Sequence, residues 1–417
     1  MRENVLEKEF RNFRSKSIEE TEDEVGKKFV DHLVETYSLK CREYPDGIYC
    51  LDYDQINSPS THPIVMNCRG TIVRAVGNEF TVLSAKFARF FNLGEHPEQV
   101  QDFNFDDATA FEKVDGSMIG LWYDVCSEKW NISTRGTAYA EGNHPVYGTF
   151  RNAVLCTIFE SGDFSKSNDH KHMSDLEDRF QEMIKNVFSI DEFSRTTHLF
   201  ELIGPYNQCV KKYEKAQMVY LGSTEVKNSV RITEYYGSVD VDLLNSYMEY
   251  GCNIRGVFRD VEQYNIDKNP EAVTKFVNSL KDLDEGVVLL CHKTGKRIKV
   301  KSSTYVAAHR LRGDNTVPSR KHIAEVVVTG EVDELVAYFP DLKPMCDEVI
   351  NHIKNQLDTL AEVWDNTKHI ESQKDFALTV KSVKGNHLLF SSRSNNTDPR
   401  TEYHKLSVNK KLRFILE

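Results

Sequence analysis

A lysine that stands before a glycine turn is the arrangement in this sequence best suited to nucleophilic chemistry. Lys113 opens the segment Lys113-Val114-Asp115-Gly116-Ser117, directly after an apolar-flanked strand predicted over residues 108–112. The end of a strand can hold the lysine amine rigidly, while glycine lets a nucleotide approach the backbone. The amine must be neutral to attack the α-phosphorus of a nucleotide, and nearby cations and burial favour that form. The segment therefore predicts covalent attachment of a nucleotide, with cations supplied from elsewhere in the chain.

Two further lysines could supply that positive charge. Lys299 and Lys301 alternate along a predicted strand. Because successive side chains of a strand point to opposite faces, both should lie on one face. There they could hold a triphosphate and favour the neutral amine of Lys113. A K-x-K pair by itself carries little information, since most such pairs lie on solvated strand faces.

Two carboxylates complete the set. Glu285 precedes Gly286 a short turn before the K-x-K strand, and Glu201 interrupts the apolar run over residues 199–203. Glu201 can be an edge residue that faces solvent. Alternatively, it binds ribose or a hydrated Mg²⁺, an ion that favours oxygen ligands and keeps several waters.

The order of these four pieces resembles the motifs of the covalent nucleotidyltransferases, which include ATP-dependent DNA ligases, RNA ligases and mRNA capping enzymes. That superfamily carries K-x-D-G, an acid in an apolar strand, E-G-x-x and K-x-K, and this sequence has them in the same order. The resemblance is closest to the phage-type RNA ligase 1 family, which repairs broken tRNA. The reason is that K-x-D-G-S stands where most DNA ligases and capping enzymes have K-x-D-G-x-R. It extends over roughly residues 60 to 310.

Three upstream segments extend the resemblance. Cys68-Arg69-Gly70-Thr71 is similar to the family's R-G segment at the nucleotide's phosphates. Arg89-Phe90-Phe91-Asn92 resembles its K-F-F-N segment, and Ser133-Thr134-Arg135-Gly136 resembles its next basic motif. Both have arginine in place of lysine, which keeps the charge but changes the geometry. Tyr305, four residues after Lys301, matches a tyrosine of the family's active site.

The resemblance implies a role for each matched residue. Lys113 would be the catalytic nucleophile, and Asp115 would serve the later RNA steps. Glu201 and Glu285 would hold Mg²⁺ through water, with Mn²⁺ as a substitute, and Glu285 could also orient Lys113. Tyr220 is either a ring near the base or an ordinary strand aromatic. The implied ATP-binding set is Arg69, Arg89, Phe91, Glu112, Lys113, Arg135, Glu201, Glu285, Lys299, Lys301 and Tyr305.

The implied reaction is ATP-dependent joining of 5′-phosphate and 3′-hydroxyl RNA ends through lysyl-AMP and RNA-adenylate intermediates. The substrate would be single-stranded RNA ends or nicked tRNA, in RNA or tRNA repair. The alternatives are an ATP-dependent DNA ligase, a GTP-using mRNA capping enzyme and, more remotely, a non-catalytic RNA-binding protein. The first two usually carry a C-terminal OB-fold of short strands, whereas the sequence after residue 311 has helical periodicity. A multifunctional enzyme with a kinase is not expected, because no G-x-x-x-x-G-K-[ST] loop is present.

Composition is compatible with such an enzyme. Hydrophobic residues make up 40% and charged residues 28% of 417, typical of a soluble globular protein. The net charge of −11 argues against coating nucleic acid with a basic surface but leaves room for a local basic groove. Nine scattered cysteines without a C-x-x-C pair predict neither a zinc site nor disulfides. Without an apolar leader or a membrane-spanning run, we expect a cytoplasmic protein (in the host cytoplasm if the protein is viral). We also expect a monomer.

The predicted elements form an α+β fold. A nucleotidyltransferase (ATP-grasp-like ligase) domain of antiparallel sheets with flanking helices is expected over residues 1–311. A mainly helical domain, which the resemblance associates with RNA or tRNA specificity, is expected over 312–417, after a linker at Gly313-Asp314-Asn315 and Pro318. Ser174 and Glu177 predict a capping box for one helix. Strands are predicted over 47–53, 64–76, 80–86, 108–114, 117–124, 130–135, 198–203, 218–223, 283–291 and 297–301. Helices are predicted over 17–39, 174–188, 241–250, 271–283, 323–328, 331–339 and 345–364.

Overall fold

A computed structural model gives the fold of most of the chain. It describes residues 2–16, 24–54, 57–96, 98, 101–187, 195–207, 209–227, 231–235, 241–252, 256–267, 269–281, 283–306, 319–329, 332, 336 and 340–416. The chain divides into two compact units, Met1–Tyr305 and Val306–Glu417. The predicted linker lies outside the described residues, so the boundary expected at residue 311 stays a prediction.

The first unit contains all of the strands and seven of the thirteen α-helices that the structure describes. The strands are β1 (Arg2–Glu3), β2 (Leu39–Tyr44), β3 (Ile48–Tyr53), β4 (Arg69–Val76), β5 (Glu79–Ser84), β6 (Phe91–Asn92), β7 (Ala108–Glu112), β8 (Ser117–Asp124), β9 (Lys129–Ser133), β10 (Asn143–His144), β11 (Gly148–Thr149), β12 (Arg195–Ile203), β13 (Gln217–Lys227), β14 (Arg231–Tyr235), β15 (Phe258–Asp260), β16 (Gln263–Tyr264), β17 (Gly286–Cys291) and β18 (Arg297–Lys301). The helices are α1 (Val5–Lys16), α2 (Val25–Tyr37), α3 (Pro63–Asn67), α4 (Phe150–Glu160), α5 (His170–Val187), α6 (Val241–Cys252) and α7 (Pro270–Ser279).

Three large sheets and the two-stranded sheet β10-β11 build this unit. The largest has the order β1-β14-β13-β12-β8-β9 with β15 beside β13, the second is β16-β7-β17-β18-β6, and the third is β2-β3-β4-β5. Neighbouring strands are antiparallel, except that β15 runs parallel to β13 and β6 runs parallel to β18. The predicted α+β architecture of antiparallel sheets with flanking helices is confirmed.

Helices α4 and α5 cover one face of the largest sheet. Thr149 caps α4, because its Oγ1 accepts the N–H of Asn152 at 3.1 Å. Phe200 and Leu202 of β12 belong to the core under these helices. Since side chains alternate along a strand, Glu201 between them points to the opposite face. On that face Ile203 packs with Val114, so the strand that carries Glu201 also contacts the segment that follows Lys113.

The described part of the second unit consists of helices. They are α8 (Arg320–Thr329), α9 (Lys343–Thr367), α10 (Gln373–Val380), α11 (Asn386–Asn395), α12 (Pro399–His404) and α13 (Val408–Leu416). Their core includes the fully buried Phe376, whose ring meets Trp364 edge-on and lies under the guanidinium of Arg393. The predicted helical character of this tail is confirmed. Among the described residues of the whole chain, we find no helix with the length and apolar character needed to cross a membrane.

Two of the predicted elements were wrong at their beginnings. Residues 64–76 are not one strand, because Pro63 opens the short helix α3 and β4 begins only at Arg69. The capping box at Ser174 is not used, since α5 begins at His170. There Asp169 Oδ1 accepts the N–H groups of Lys171 at 3.0 Å and His172 at 3.2 Å. The predicted helix over 17–39 is described only from Val25, and most of the one over 331–339 lies outside the described residues.

A buried histidine in β12 predicts a measurable acid sensitivity. His198 is 8% exposed, and burial lowers its pKa to about 3. Because the folded pKa lies below the unfolded value, the stability from the neutral ring is complete above about pH 6.5 and is lost as the pH falls. Between pH 6.5 and 5 we expect wild type to lose about 2 kcal/mol more unfolding free energy than His198→Phe. Urea unfolding at both pH values measures this, with the exposed His170→Phe as the control. Equal pH dependence in all three proteins would contradict it.

Candidate active site

Three strand ends of the second sheet bring the predicted lysines together. In the register, Val287 of β17 faces Glu112 of β7, and Gly286 faces Lys301 of β18. The N–H of Lys113 donates to the carbonyl of Gly286 at 2.9 Å, so β7 and β17 stay paired up to Lys113. Lys113, Glu285 and Lys301 therefore meet at the same end of β7, β17 and β18.

Glu285 bridges two of these lysines. Its Oε2 lies 2.6 Å from Lys113 Nζ and its Oε1 lies 2.8 Å from Lys301 Nζ. Burial raises the pKa of Glu285, but Lys113 and Lys301 outweigh it and hold the pKa below its usual range. Two cations that would otherwise repel each other thus share one buried carboxylate. A nucleophilic role for Lys113 would require its amine to leave this ion pair.

Lys299 adds a third cation on the same strand face as Lys301. Burial, followed by the charges of Lys113 and Lys301, lowers the pKa of Lys299 to about 8. Its ammonium lies 5.8 Å from the ring centre of Phe90, and the guanidinium of Arg69 lies 5.7 Å from the same ring. The cations that the alternation predicted are therefore clustered around Lys113.

Glu201 lies in the largest sheet, close enough to Lys113 for the two charges to interact. It is in β12, which is paired on both sides by β8 and β13, so the prediction of a solvent-facing edge residue is wrong. Burial raises the pKa of Glu201 to about 8, while Lys113 opposes that rise and Glu285 adds to it. Gly116 permits this approach, because a Cβ there would come within 2.3 Å of the Leu202 carbonyl. Glu201 thus shares the electrostatic environment of Lys113 and Glu285.

Asp115 ties three segments together. It is 4% exposed; its Oδ1 accepts the hydroxyl of Tyr305 at 2.8 Å, and its Oδ2 accepts the N–H groups of Val210 and Lys211, each at 2.7 Å. The N–H of Asp115 donates to the hydroxyl of Tyr213 at 3.2 Å. The carboxylate therefore fixes the segment after Lys113 against a neighbouring loop and against Tyr305. Its expected part in the RNA steps stays a prediction.

Asp115→Asn is expected to lower the unfolding free energy by about 2–3 kcal/mol. The amide retains one acceptor oxygen for three donors and turns an NH₂ group toward one of them, and hydrogen bonds to a charged acceptor are worth about that much. Urea unfolding measures the loss, and Asp106→Asn at an exposed position is the control. Unchanged stability would mean that Asp115 does not hold these segments.

The segments around Arg69 and Arg135 pack on each other. Gly70 has φ +71°, and a Cβ there would lie 2.4 Å from the carbonyl oxygen of Arg135. Arg135 pairs with Asp52 at 3.0 Å, and its guanidinium lies 4.4 Å from the ring centre of Tyr53. Two motifs that are far apart in the sequence thus lie side by side.

Three predicted ATP-binding residues have other partners. The guanidinium of Arg89 lies 4.2 Å from the ring centre of Tyr53 and 5.2 Å from that of Phe91, a ring that is 3% exposed. Arg89 and Phe91 also line a cavity of about 340 Å³. The carboxylate of Glu112 forms a two-point pair with Arg259, at 2.8 and 3.1 Å. Contact of these three side chains with ATP stays a prediction.

Tyr220 resolves the alternative that the sequence left open. It is 1% exposed, and its ring packs 5.2 Å from that of Phe200 in the core under the helices. Tyr220 is therefore a core aromatic, and a position beside the base is wrong.

Two lysines near the site escaped the sequence analysis. Lys86 is 1% exposed and donates to the carbonyl of Gly70, and burial lowers its pKa to about 8. Lys211 pairs with Asp284, the neighbour of Glu285. A lysine at the end of an apolar strand was the available signal for Lys86, whereas nothing local marks Lys211.

The carboxylates suit a hydrated divalent cation better than a protein-built cage. Over the described ranges, His, Cys, Asp and Glu side chains form no group of three or more that could hold a metal ion. Glu201 and Glu285 nevertheless supply oxygen donors close enough to affect each other's charge. Mg²⁺ usually takes one or two carboxylates together with waters and substrate phosphates. The donor set fits that mode of binding.

Comparison with known proteins places this geometry in a family. A family model described as RNA ligase matches residues 67–305, more than half of the chain. The chain therefore belongs to this RNA ligase family, and the family predicted from the motifs is confirmed.

Relatives agree with this assignment. The chain is 25% identical over 403 residues to a putative bifunctional polynucleotide kinase/RNA ligase of Autographa californica nuclear polyhedrosis virus, covering 93% of this chain and 51% of that protein. The chain thus spans about half the length of that relative. It is 23% identical over 352 residues to an RNA ligase of Rhodothermus phage RM378, covering 74% of this chain and 76% of the phage protein.

Solved structures show lower similarity. An archaeal ATP-dependent RNA ligase has 13% identity and a TM-score of 0.39, covering 78% of this chain and 79% of that one. A Naegleria gruberi RNA ligase has 13% identity and a TM-score of 0.34, covering 54% of this chain and 57% of that one. At these scores the structures add nothing to the family assignment.

Proposed function

We propose that this protein is an ATP-dependent RNA ligase that joins 5′-phosphate and 3′-hydroxyl ends through an AMP adduct on Lys113. The observation that carries the proposal is the shared ion pair of Glu285 with Lys113 and Lys301, beside Lys299. This arrangement places three functions together at the ends of neighbouring strands: a nucleophile, a carboxylate that orients it, and cations that can bind phosphates. A protein that only binds RNA has no need to hold a lysine in this way.

In the first step, the amine of Lys113 attacks the α-phosphorus of ATP. A phosphorus–nitrogen bond forms, the bond to the β-phosphate oxygen breaks, and pyrophosphate leaves. Lys299 and Lys301 neutralise the charge of the phosphates and of the leaving group, as displacement at phosphorus requires. Glu285 orients Lys113, and release of Lys301 from Glu285 frees that cation for the triphosphate.

In the later steps the same cations neutralise the charge of the RNA phosphates that react. The 5′-phosphate of an RNA end attacks the lysyl-AMP, which frees Lys113 and leaves AMP linked to that phosphate. A 3′-hydroxyl then attacks the activated 5′-phosphate, forms the phosphodiester and releases AMP. Each step is an in-line displacement, so positioning and charge neutralisation supply most of the catalysis.

A divalent cation would complete the site. Glu201 and Glu285 would hold hydrated Mg²⁺, or Mn²⁺ in its place, and the ion would neutralise phosphate charge. Arg69, with Arg89 and Arg135, would contact phosphates beyond the reach of the lysine cluster, and Tyr305 would act through Asp115.

RNA rather than DNA is the proposed substrate, because the family model covers the segment that contains the whole site. Nicked tRNA, handled by a monomer in the cytoplasm, is the specific form that we propose. The helices of the described tail count against the DNA ligase and the GTP-using capping enzyme, which usually carry an OB-fold of short strands there. Comparing the sealing of nicked tRNA and of plain single-stranded RNA by the full chain tests the preference.

One experiment tests the central claim. The protein is incubated with Mg²⁺ and with ATP or GTP labelled at the α-phosphate, then denatured and examined for label on the chain. We expect an adduct with ATP and none with GTP. Addition of 5′-phosphorylated RNA should then move the label to RNA, whereas matched DNA should accept much less. No adduct with ATP would refute the proposal.

A further inference from the structure

Two aromatic rings are unusually open to solvent beside the segment that follows Lys113. Among the described side chains, Phe164 is 40% exposed and Tyr206 is 45% exposed. Their ring centres are 4.9 Å apart, and the rings meet edge-on at 76°. Aromatic rings are the largest apolar groups in proteins and are mostly buried, so a paired and exposed set needs an explanation.

These rings rest on a buried support. Tyr147 is 3% exposed, and its ring lies 6.1 Å from Phe164 and 6.3 Å from Tyr206. Its hydroxyl donates to the carbonyl of Gly162 at 2.7 Å, which fixes the turn before Phe164. Because Tyr147 supports both rings, a ligand that stacks on them would lose little free energy to ordering of these side chains.

The pair is anchored to the candidate active site. Asn207 follows Tyr206 directly, and its Oδ1 accepts the hydroxyl of Ser117 at 3.1 Å. Its amide donates to the carbonyl of Leu202 at 2.6 Å, one residue after Glu201. Ser117 is only four residues from Lys113, so their Cα atoms are at most about 14 Å apart. The backbone that carries Tyr206 is therefore hydrogen-bonded, through Asn207, to the segment that follows Lys113.

The charge around the rings is mixed. Lys166 lies near Phe164 in the sequence, and Lys212 and Lys215 follow Tyr206, all three exposed. Asp163 and Glu214 are also exposed and offset part of that charge. The surface is therefore not a strongly basic groove that would bind a phosphate backbone by charge alone.

We infer that Phe164 and Tyr206 form a stacking platform for unpaired RNA bases next to the end that is being joined. This inference rests on the proposed ligase function and identifies how the substrate is held. Aromatic rings bind the face of any base, so the platform would favour single-stranded ends over paired ones with little sequence preference. It would also keep the reacting end close to Lys113 without reading its sequence.

The test uses the full chain and a 5′-phosphorylated oligoribonucleotide with 2-aminopurine near that end. The double variant Phe164→Leu with Tyr206→Leu keeps apolar bulk but removes the rings. The double variant Phe164→Tyr with Tyr206→Phe keeps the rings and is the matched control. Binding is followed by fluorescence anisotropy and by quenching of 2-aminopurine, and adduct formation with labelled ATP is measured in parallel.

We expect the leucine variant to bind RNA about tenfold more weakly or worse, since stacking on one ring is worth about that factor. Quenching should be lost, the salt dependence of binding should stay as in wild type, and the adduct should form normally. The ring-swapped control should resemble wild type. RNA binding and quenching that are unchanged in the leucine variant, with adduct formation intact, would overturn the platform but not the ligase. Failure of wild type itself to form the adduct would refute the proposed function instead.

Discussion

Lys113→Ala is expected to abolish the covalent AMP adduct and to reduce the sealing of 5′-phosphorylated RNA by at least about a thousandfold. The variant lacks the amine that forms the phosphoramidate, and the nearby lysines cannot replace it. Lys299 and Lys301 are assigned to the phosphates of ATP, and Lys211 is bound to Asp284. A nucleophile that splits one difficult displacement into two easier ones has no substitute in the site. Label retained on the denatured chain measures the adduct, and product length on a gel measures sealing.

Pre-adenylated RNA provides the sharper half of this test. It enters after the step that needs the lysine, so Lys113→Ala should seal it far better than it seals RNA with ATP. Lys129→Ala at an exposed position of β9 is the control for loss of a surface lysine. An adduct that survives in Lys113→Ala would place the nucleophile elsewhere and would contradict the central claim.

Glu285→Gln should have the second largest effect, a fall of about a hundredfold or more in the rate of adduct formation. The carboxylate is 4% exposed and binds Lys113 and Lys301 at once. Glutamine has nearly the same shape but no charge, so the ammonium groups of Lys113, Lys299 and Lys301 would repel one another without a shared counter-ion. The nucleophile would then lose its position, and a hundredfold loss corresponds to about 3 kcal/mol of transition-state stabilisation.

Whether the substitution changes kcat or KM distinguishes a role of Glu285 in positioning Lys113 from a role in binding ATP. The extra positive charge should leave the KM for ATP unchanged or lower, whereas kcat for adduct formation should fall. Glu234→Gln is the matched control. Glu234 forms a nearly buried ion pair, at 2.6 Å, with Arg297 of β18, the strand that also carries Lys301. It should cost stability without a comparable loss of rate. Equal losses of rate in both variants would show that Glu285 has only a structural role.

Local patterns predicted most of the elements but not where two of them begin. The 3.6-residue period marks the core face of α5, because burial of one face is a local property of the chain. Pro63 opens α3 where a strand was predicted, and Asp169 caps α5 at an earlier residue than predicted. The start of a helix depends on which nearby group caps its free N–H groups. A capping box at Ser174 was available, but Asp169 supplied the cap one turn earlier.

The chemistry of this protein could be inferred from its sequence because reactive side chains keep their identity and order along the chain. Lys113, Glu201, Glu285, Lys299 and Lys301 could each be named, and all five lie within the segment that the family model matches. The same residues could not reveal their partners. Pairing of β7, β17 and β18 decided that Glu285 bridges two lysines, and packing against Tyr53 and Arg259 decided where Arg89 and Glu112 point.

The segment that begins at Lys113 shows where this division lies. Its residue types determine that an amine, a carboxylate and a glycine follow one another at a strand end, and this suffices to predict nucleotidylation. Only the tertiary structure decided that Asp115 accepts hydrogen bonds from Tyr305 and two backbone N–H groups. It also decided that Ser117 donates to Asn207, the residue after the exposed Tyr206. The physical reason is that hydrogen bonds and ring contacts act over a few ångströms in space, between residues that the sequence places far apart.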